Sequence, residues 1–224
     1  MAKSKIKFAK ALDVKDPTRA NAEDAGIDFY VPRFTSNFIK KLIEKNPVLF
    51  KTKDDLTLTS GGCITLSNSS SGTYVSNSNQ ELKFNLNDQN SGLFKYDEET
   101  GLPYFLLPPL SGVNIPSGIY CKMGPDRMLL ALNKSGVATK DQLVVGACLV
   151  DSSYQGEIHI HVMNLSSKVV RIYEDKKLVQ FAEVPIILSD IDVEQMGPTF
   201  GDLQKFFEVK SSRGASGFGD SDHK

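Results

Sequence analysis

Cysteine and histidine are scarce in this chain, neither sign of charge is in excess, and no apolar run is long. The three cysteines, Cys63, Cys121 and Cys148, are odd in number and widely spaced. That argues against a disulfide framework and suits a reducing cytoplasm. Neither they nor His159, His161 and His223 show the spacing of a metal-ligand set. Lysine and arginine number 26 against 27 aspartates and glutamates, so there is no basic footprint for nucleic acid. No stretch approaches the roughly 20 apolar residues that cross a bilayer, and no membrane partner is expected. The opening MAKSKIKFAKALD is basic but has no apolar core, so it does not read as a secretory signal. What is present is 224 residues of ordinary globular composition, 40% hydrophobic and 24% charged. That is enough for one large domain or two small ones.

Strand signals dominate. KIKFAKAL alternates, and DRMLLALN, QLVVGACLV, EIHIHVMNL and VVRIYEDKKLVQFAEVPIIL are apolar or alternating runs between turn residues. Many short strands at close intervals predict a β-barrel or sandwich. SNFIKKLIEKN reads as a helix, with Ser36 as N-cap and Phe38, Leu42 and Ile43 on one face. GDLQKFFEV, near 201–209, is a weaker helix signal. The stretch from Phe34 to Leu110 differs: its Ser/Asn-rich SNSSSGTYVSNSNQ predicts exposed hairpins or a mobile excursion.

Four internal segments and the tail carry residues suited to chemistry. In DSSYQGE, turn residues between two strand runs predict a hairpin bearing Asp151 and Tyr154. It is either a solvated turn or a slot whose backbone reads a flat polar ligand. In LNKSGVATKDQL, the Ser-Gly pair beside Lys134 is either a plain strand-ending turn or an anion cradle. AGIDFYVP places Asp28 in an apolar strand, where a carboxylate needs a hydrogen-bond partner, a metal or water. DKKLVQ ends on Gln180, which either donates to phosphate or faces solvent. The tail SSRGASGFGDSDHK sets one guanidinium and one aromatic ring among small residues otherwise built to move.

AGIDFYVP, NKSGVA, GACLVDSSYQGE, DKKLVQFAEVP and RGASGFG, in that order, closely resemble the five motifs of the trimeric dUTPase family, the deoxyuridine triphosphate nucleotidohydrolases. The resemblance covers roughly residues 5–33 and 110–221, and its third and fifth motifs are the most specific. It implies an all-β fold, the jelly-roll β-barrel of the β-clip type, assembled as a homotrimer with sites between subunits. Residues 1–33 and 111–210 would form the barrel, 34–110 an inserted helix and hairpin region, and 211–224 a flexible lid. It implies hydrolysis of dUTP to dUMP and pyrophosphate with Mg²⁺, in the cytoplasm, or the host's cytoplasm if the gene is a phage's.

The resemblance also assigns roles. Asp151 would orient and deprotonate the attacking water. Tyr154 would lie under the deoxyribose and exclude a 2′-hydroxyl. The hairpin backbone, with Gly146, Val150 and Gly156 among its substrate-binding residues, would read the uracil edge. Lys134, Ser135, Gly136 and Gln180 would meet phosphates. Asp28 would support a metal indirectly, through water. From the tail, Arg213 would clamp the terminal phosphates and Phe218, beside Gly219, would stack on the base.

The chain departs from the family pattern in five places. Lys134 stands where arginine is usual, which loses a bidentate fork. Cys148 stands where glycine is usual. Asp175, Lys176 and Lys177 replace Gly-Asp-Arg, and Asp220, Ser221 and Asp222 follow the last motif. The link of about 75 residues from Phe34 to Leu110 is far longer than usual. It is either surface decoration or an arm for a protein partner, and insertions in phage-encoded relatives point to a phage origin. A dCTP deaminase shares the fold, but its glutamate and Arg-Ser-Ser motif have no clear match here. A third reading is a nucleotide-binding regulatory protein acting through the 34–110 insert.

Overall fold

The computed structural model describes residues 5–46, 49, 51–52, 63–67, 71–75, 81–85, 94–195 and 206–207, those between 51 and 94 by backbone alone. In chain order the strands are β1 Lys7–Lys10, β2 Gly26–Tyr30, β3 Lys51–Thr52, β4 Cys63–Ser67, β5 Ser71–Val75, β6 Glu81–Asn85, β7 Phe94–Asp97, β8 Leu102–Leu107, β9 Gly112–Lys122, β10 Arg127–Asn133, β11 Leu143–Val145, β12 Leu149–Asp151, β13 Ile158–Asn164, β14 Val170–Tyr173 and β15 Lys177–Pro185. The helices are α1, Ser36–Lys45, and α2, Ser135–Lys140. Residues 1–187 form one compact unit and 188–224 a second.

In the first unit two four-stranded sheets, β1-β9-β13-β11 and β12-β10-β15-β2, and a three-stranded sheet, β14-β8-β7, are antiparallel throughout. Alternation explains their inner faces. In β13, Ile158, Ile160, Val162 and Asn164 are buried while His159, His161 and Met163 are half-buried. Ile115 of β9, Ile160 of β13, Phe29 of β2, Phe181 of β15 and Phe105 of β8 join one apolar cluster. Phe29 and Phe181 meet at 4.4 Å between ring centroids, tilted by 48°. The fold is thus a mostly-β barrel closed around one core. A fourth sheet, β3-β4-β5-β6, lies within the 34–110 stretch.

Not all of that stretch stands apart from the core. Helix α1 buries Phe38, Ile39, Leu42 and Ile43 in the same cluster, and β8 pairs with β14 of the core. Asn46, buried at the end of α1, pins it to β9: its amide donates to the Asn114 carbonyl at 2.9 Å and accepts from the Asn114 N–H at 2.6 Å. The helix's N-cap is Thr35, one residue before the expected Ser36. Thr35 is extended, and its hydroxyl accepts from the Phe38 N–H at 3.3 Å, whereas Ser36 is already the first residue of the helix.

The run QLVVGACLV is not one strand. Its first half, β11, pairs with β13, and its second half, β12, pairs with β10 in another sheet, so the hairpin expected across DSSYQGE does not form: residues 152–157 cross from one sheet to the other. The glycine between β11 and β12 is where the chain changes sheets. The long strand β9 carries weak sequence signals because Pro116 and Gly118 interrupt it. Gly118 has φ +72°, and an added Cβ would lie 2.6 Å from the Leu12 side chain, so glycine is needed there. The register slips at this point, opposite Ile158 and His159. The apolar run through PIIL stops as a strand at Pro185. In the second unit, Leu188, Ile191 and Val193 are exposed, and Phe206 meets Phe207 edge to face at 5.2 Å. Apart from those two rings, the helix expected over 201–209 lies outside the described residues.

Candidate functional site

Two groups of the expected residues come together, one around Asp28 and one on the segment from Gly146 to Gly156. Asp28 is 2% exposed, in the middle of β2 and opposite Gln180 of β15. A buried carboxylate needs compensation. Lys134 binds one of its oxygens, and Lys177 lies 2.9 Å from the other. Burial pushes the Asp28 carboxyl up, but hydrogen bonds and charge from the two lysines outweigh it and leave its pKa below the usual value. Its hydrogen bond to Asp28 likewise holds the Lys177 ammonium above its ordinary value. Lys177 also lies over the Tyr30 ring, 5.5 Å from its centre.

Gln180 lies close against Gly26, where an added Cβ would be 2.4 Å from its Oε1. Its amide donates to the Asn133 carbonyl at 3.0 Å. The Asn133 side chain accepts from the Val145 N–H at 2.7 Å, so this residue ties the end of β10 to both β15 and β11. Nothing in the local sequence marked it beyond its place before Lys134. Lys134 precedes α2 in extended conformation and provides no side-chain cap. Ser135 and Gly136 form the exposed first turn. A Cβ at Gly136 would meet nothing within 4 Å.

The second group is set by close approaches. A Cβ at Gly146 would lie 2.1 Å from Nδ1 of His161, and its N–H donates to the His161 carbonyl at 3.1 Å. After β12 the chain turns at Asp151, whose carbonyl accepts from the Tyr154 N–H at 3.1 Å. Tyr154 is 46% exposed, and its hydroxyl donates to the Glu157 carbonyl at 3.0 Å. Its ring lies so close over Gly156 that a Cβ there would be 2.3 Å from the phenol oxygen. Val150 is half-buried opposite Leu129, and Cys148 is exposed, its carbonyl accepting from the Ala131 N–H at 2.7 Å. The cysteine's side chain therefore does not fill the segment's interior. Asp151 is exposed, and its carboxylate has no hydrogen-bond or ion-pair partner among the described residues.

Glu157 gave little sequence signal, yet it anchors this segment. One carboxylate oxygen accepts from the Gly118 N–H at 2.7 Å and the other takes Lys41 of α1 at 2.9 Å. Asp175 stands at φ +60°, so the turn keeps the left-handed geometry that a glycine would give. Its Oδ2 pairs with Lys15 at 3.2 Å and Arg33 at 3.6 Å. Arg213, Phe218 and Gly219 lie outside the described residues.

These features define a jelly-roll barrel with a glycine-edged polar segment at one sheet edge and a lysine-held carboxylate in another strand. The sequence profile of dUTPases matches residues 103–221. A deoxyuridine 5'-triphosphate nucleotidohydrolase of Pseudomonas fluorescens is 32% identical over 119 residues, which is 52% of this chain and 72% of that protein. One of Pseudomonas putida is 31% identical over the same shares. Among solved structures, the dUTPase of Staphylococcus bacteriophage 80alpha with dUPNHPP has a TM-score of 0.53 at 14% identity, covering 96% of this chain and 97% of that one. The chain belongs to the dUTPase family. The match begins at residue 103, inside the stretch expected as insert, in keeping with the pairing of β8 with β14.

Proposed function

We propose that the protein is a dUTP diphosphatase that hydrolyses dUTP to dUMP and pyrophosphate. The observation that carries the reading is the exposed carboxylate of Asp151, without a partner among the described residues, beside Tyr154 on a segment fixed at both ends by glycine contacts. A water hydrogen-bonded to that carboxylate is oriented and loses its proton to it as its oxygen adds to phosphorus. The bond between the first and second phosphates breaks, and the bridging oxygen leaves with pyrophosphate. Tyr154 lies under the deoxyribose, its hydroxyl tied down, and leaves no room for a 2′-hydroxyl. Backbone groups from Gly146 to Gly156, Val150 among them, read the uracil edge.

Lys134, Ser135, Gly136 and Gln180 receive the phosphates. The uncapped first turn of α2 and the open space over Gly136 support that role. Arg213, Phe218 and Gly219 close over the nucleotide from the tail. Family members assemble as homotrimers, and we infer the same here, with these groups brought together across subunits.

The described residues do not fit a protein-held metal. They contain no group of three or more histidine, cysteine, aspartate or glutamate side chains around one point. Both oxygens of Asp28 face ammonium groups, so the water-mediated role proposed for it would require a lysine to give way. We infer that Mg²⁺ comes with the substrate, as the counter-ion of the triphosphate.

Pyrophosphate release with Mg²⁺ from dUTP, dCTP, dTTP and UTP, measured side by side, tests the proposal. Hydrolysis of dUTP alone is expected. Release from none of them, or ammonia from dCTP, overturns it. The regulatory reading stays attached to the 34–110 stretch, which contains the extra sheet β3–β6. Deleting residues 51–94 would remove that partner's capture and leave hydrolysis intact.

A further inference from the structure

The ion pair between Glu157 and Lys41 has no part in the chemistry described above, yet it sits at the base of the substrate segment. Glu157 has only 9% of its side chain exposed, and both carboxylate oxygens are used. One holds the backbone of the β9 bulge through the Gly118 N–H at 2.7 Å, and the other holds Lys41 at 2.9 Å. The same residue's carbonyl receives the Tyr154 hydroxyl at 3.0 Å. Glu157 is therefore fixed by its side chain to two other elements, and it fixes the ring of Tyr154 by its main chain. Gly156, between them, has the ring directly over it.

Three features argue that this is more than a surface contact. Lys41 is only 31% exposed, so the pair is partly shielded from water and salt. Its partner helix is itself immobilised, since Asn46 bonds β9 and four apolar side chains of α1 lie in the core. The pair also crosses 116 residues of sequence, joining the helix that opens the 34–110 stretch to the catalytic segment.

We propose that Glu157 and Lys41 are positioning residues for sugar discrimination: the ion pair sets the height of Tyr154 and thereby the enzyme's preference for deoxyribose over ribose. This rests on Tyr154 being the surface under the sugar. A phenol held at its hydroxyl excludes a 2′-hydroxyl because it does not yield. Released at Glu157, it shifts and admits one. Helix α1 becomes the physical link by which the 34–110 stretch touches the site.

The test is the ratio of kcat/KM for dUTP to that for UTP in Lys41→Met, Lys41→Arg and Glu157→Gln variants of the full chain, with thermal unfolding of each. Lys41→Met should lower the ratio about tenfold or more, chiefly by raising kcat/KM for UTP, because rejection by shape fails when the shape yields. Lys41→Arg should restore most of the ratio. Glu157→Gln keeps an acceptor for the Gly118 N–H and loses the charge, so it should resemble Lys41→Met. A lowered unfolding temperature with an unchanged ratio in both Lys41→Met and Glu157→Gln would overturn the proposal and leave the pair a stability element. If the wild-type protein fails to hydrolyse dUTP, the failure lies with the proposed activity instead.

Discussion

The two halves of the candidate site are organised by opposite means. Around Asp28, charge does the holding: one buried carboxylate anchors two lysines, and Gln180 and Asn133 complete the set. From Gly146 to Gly156, shape does it: glycines let His161 and Tyr154 approach the backbone closer than any Cβ would allow, and the segment's own acid has no partner among the described residues. A group proposed to hold a polyanion benefits from cations that are already held in place. A group that must take a proton benefits from having no partner to compete for its carboxylate. On the proposed function the charge-built half binds and the shape-built half reacts, so substitutions on the two sides should fail in different ways.

Asp151→Asn is the largest expected break. The amide keeps the shape and cannot accept the proton, so kcat should fall by about 10²–10⁴. dUTP affinity, measured by calorimetry, should stay within a few-fold of wild type. Near-normal turnover would remove Asp151 from the chemistry and leave the shape-built half with no base. Because this carboxylate is exposed and has no partner among the described residues, its removal should leave the unfolding temperature unchanged.

Asp28→Asn should do the reverse, costing stability first. It strips two ammonium groups of their shared carboxylate. Breaking a buried pair costs about 3–5 kcal/mol, and the partial exposure of Lys134 and Lys177, at 24% and 40%, reduces that to about 1–3 kcal/mol. The pH dependence fixes the sign. The folded pKa of Asp28 lies below its unfolded value of 3.8. Its contribution is therefore present above that value and lost as pH falls through the folded one. Urea unfolding should show wild type and variant furthest apart near neutrality and converging below about pH 4. A constant gap across that range would mean that the carboxylate acts by packing rather than by charge.

Much of this was legible in the residues, and the exceptions have physical causes. The alternating face of β13 and the helix over 36–45 follow from local pattern; at Asp151 the turn does so, but not the expected hairpin, because the strands on either side of it belong to different sheets. Asp28 was marked as a carboxylate in an apolar strand, but its partners sit 106 and 149 positions away in sequence, and no local pattern names them. Strand β9 was hidden because Pro116 and Gly118 are strand breakers, and only the bulge and the Leu12 contact make room for them. Glu157 looked like an ordinary charge before an apolar strand. Its anchoring contacts are with Lys41 and Gly118, again far away in sequence. QLVVGACLV read as continuous because a change of sheet leaves no hydrophobic signature, only a glycine.

Gly136→Ala is the smallest change and the sharpest on the charge-built half. Gly136 has no left-handed backbone, and among the described residues nothing beyond its own helix lies within 4 Å of a new methyl group. Folding therefore gives no reason for glycine at this position. In the first turn of α2 an alanine should stabilise the protein by up to about 1 kcal/mol. If the turn lies against the phosphates, the same methyl occupies the space they need, and kcat/KM for dUTP should fall even as the unfolding temperature rises. Opposite movements of the two quantities would show that this residue answers to something outside its own chain. If both stay level or rise, Ser135 and Gly136 do not touch the nucleotide, and Lys134 with Gln180 must hold the phosphates without backbone help.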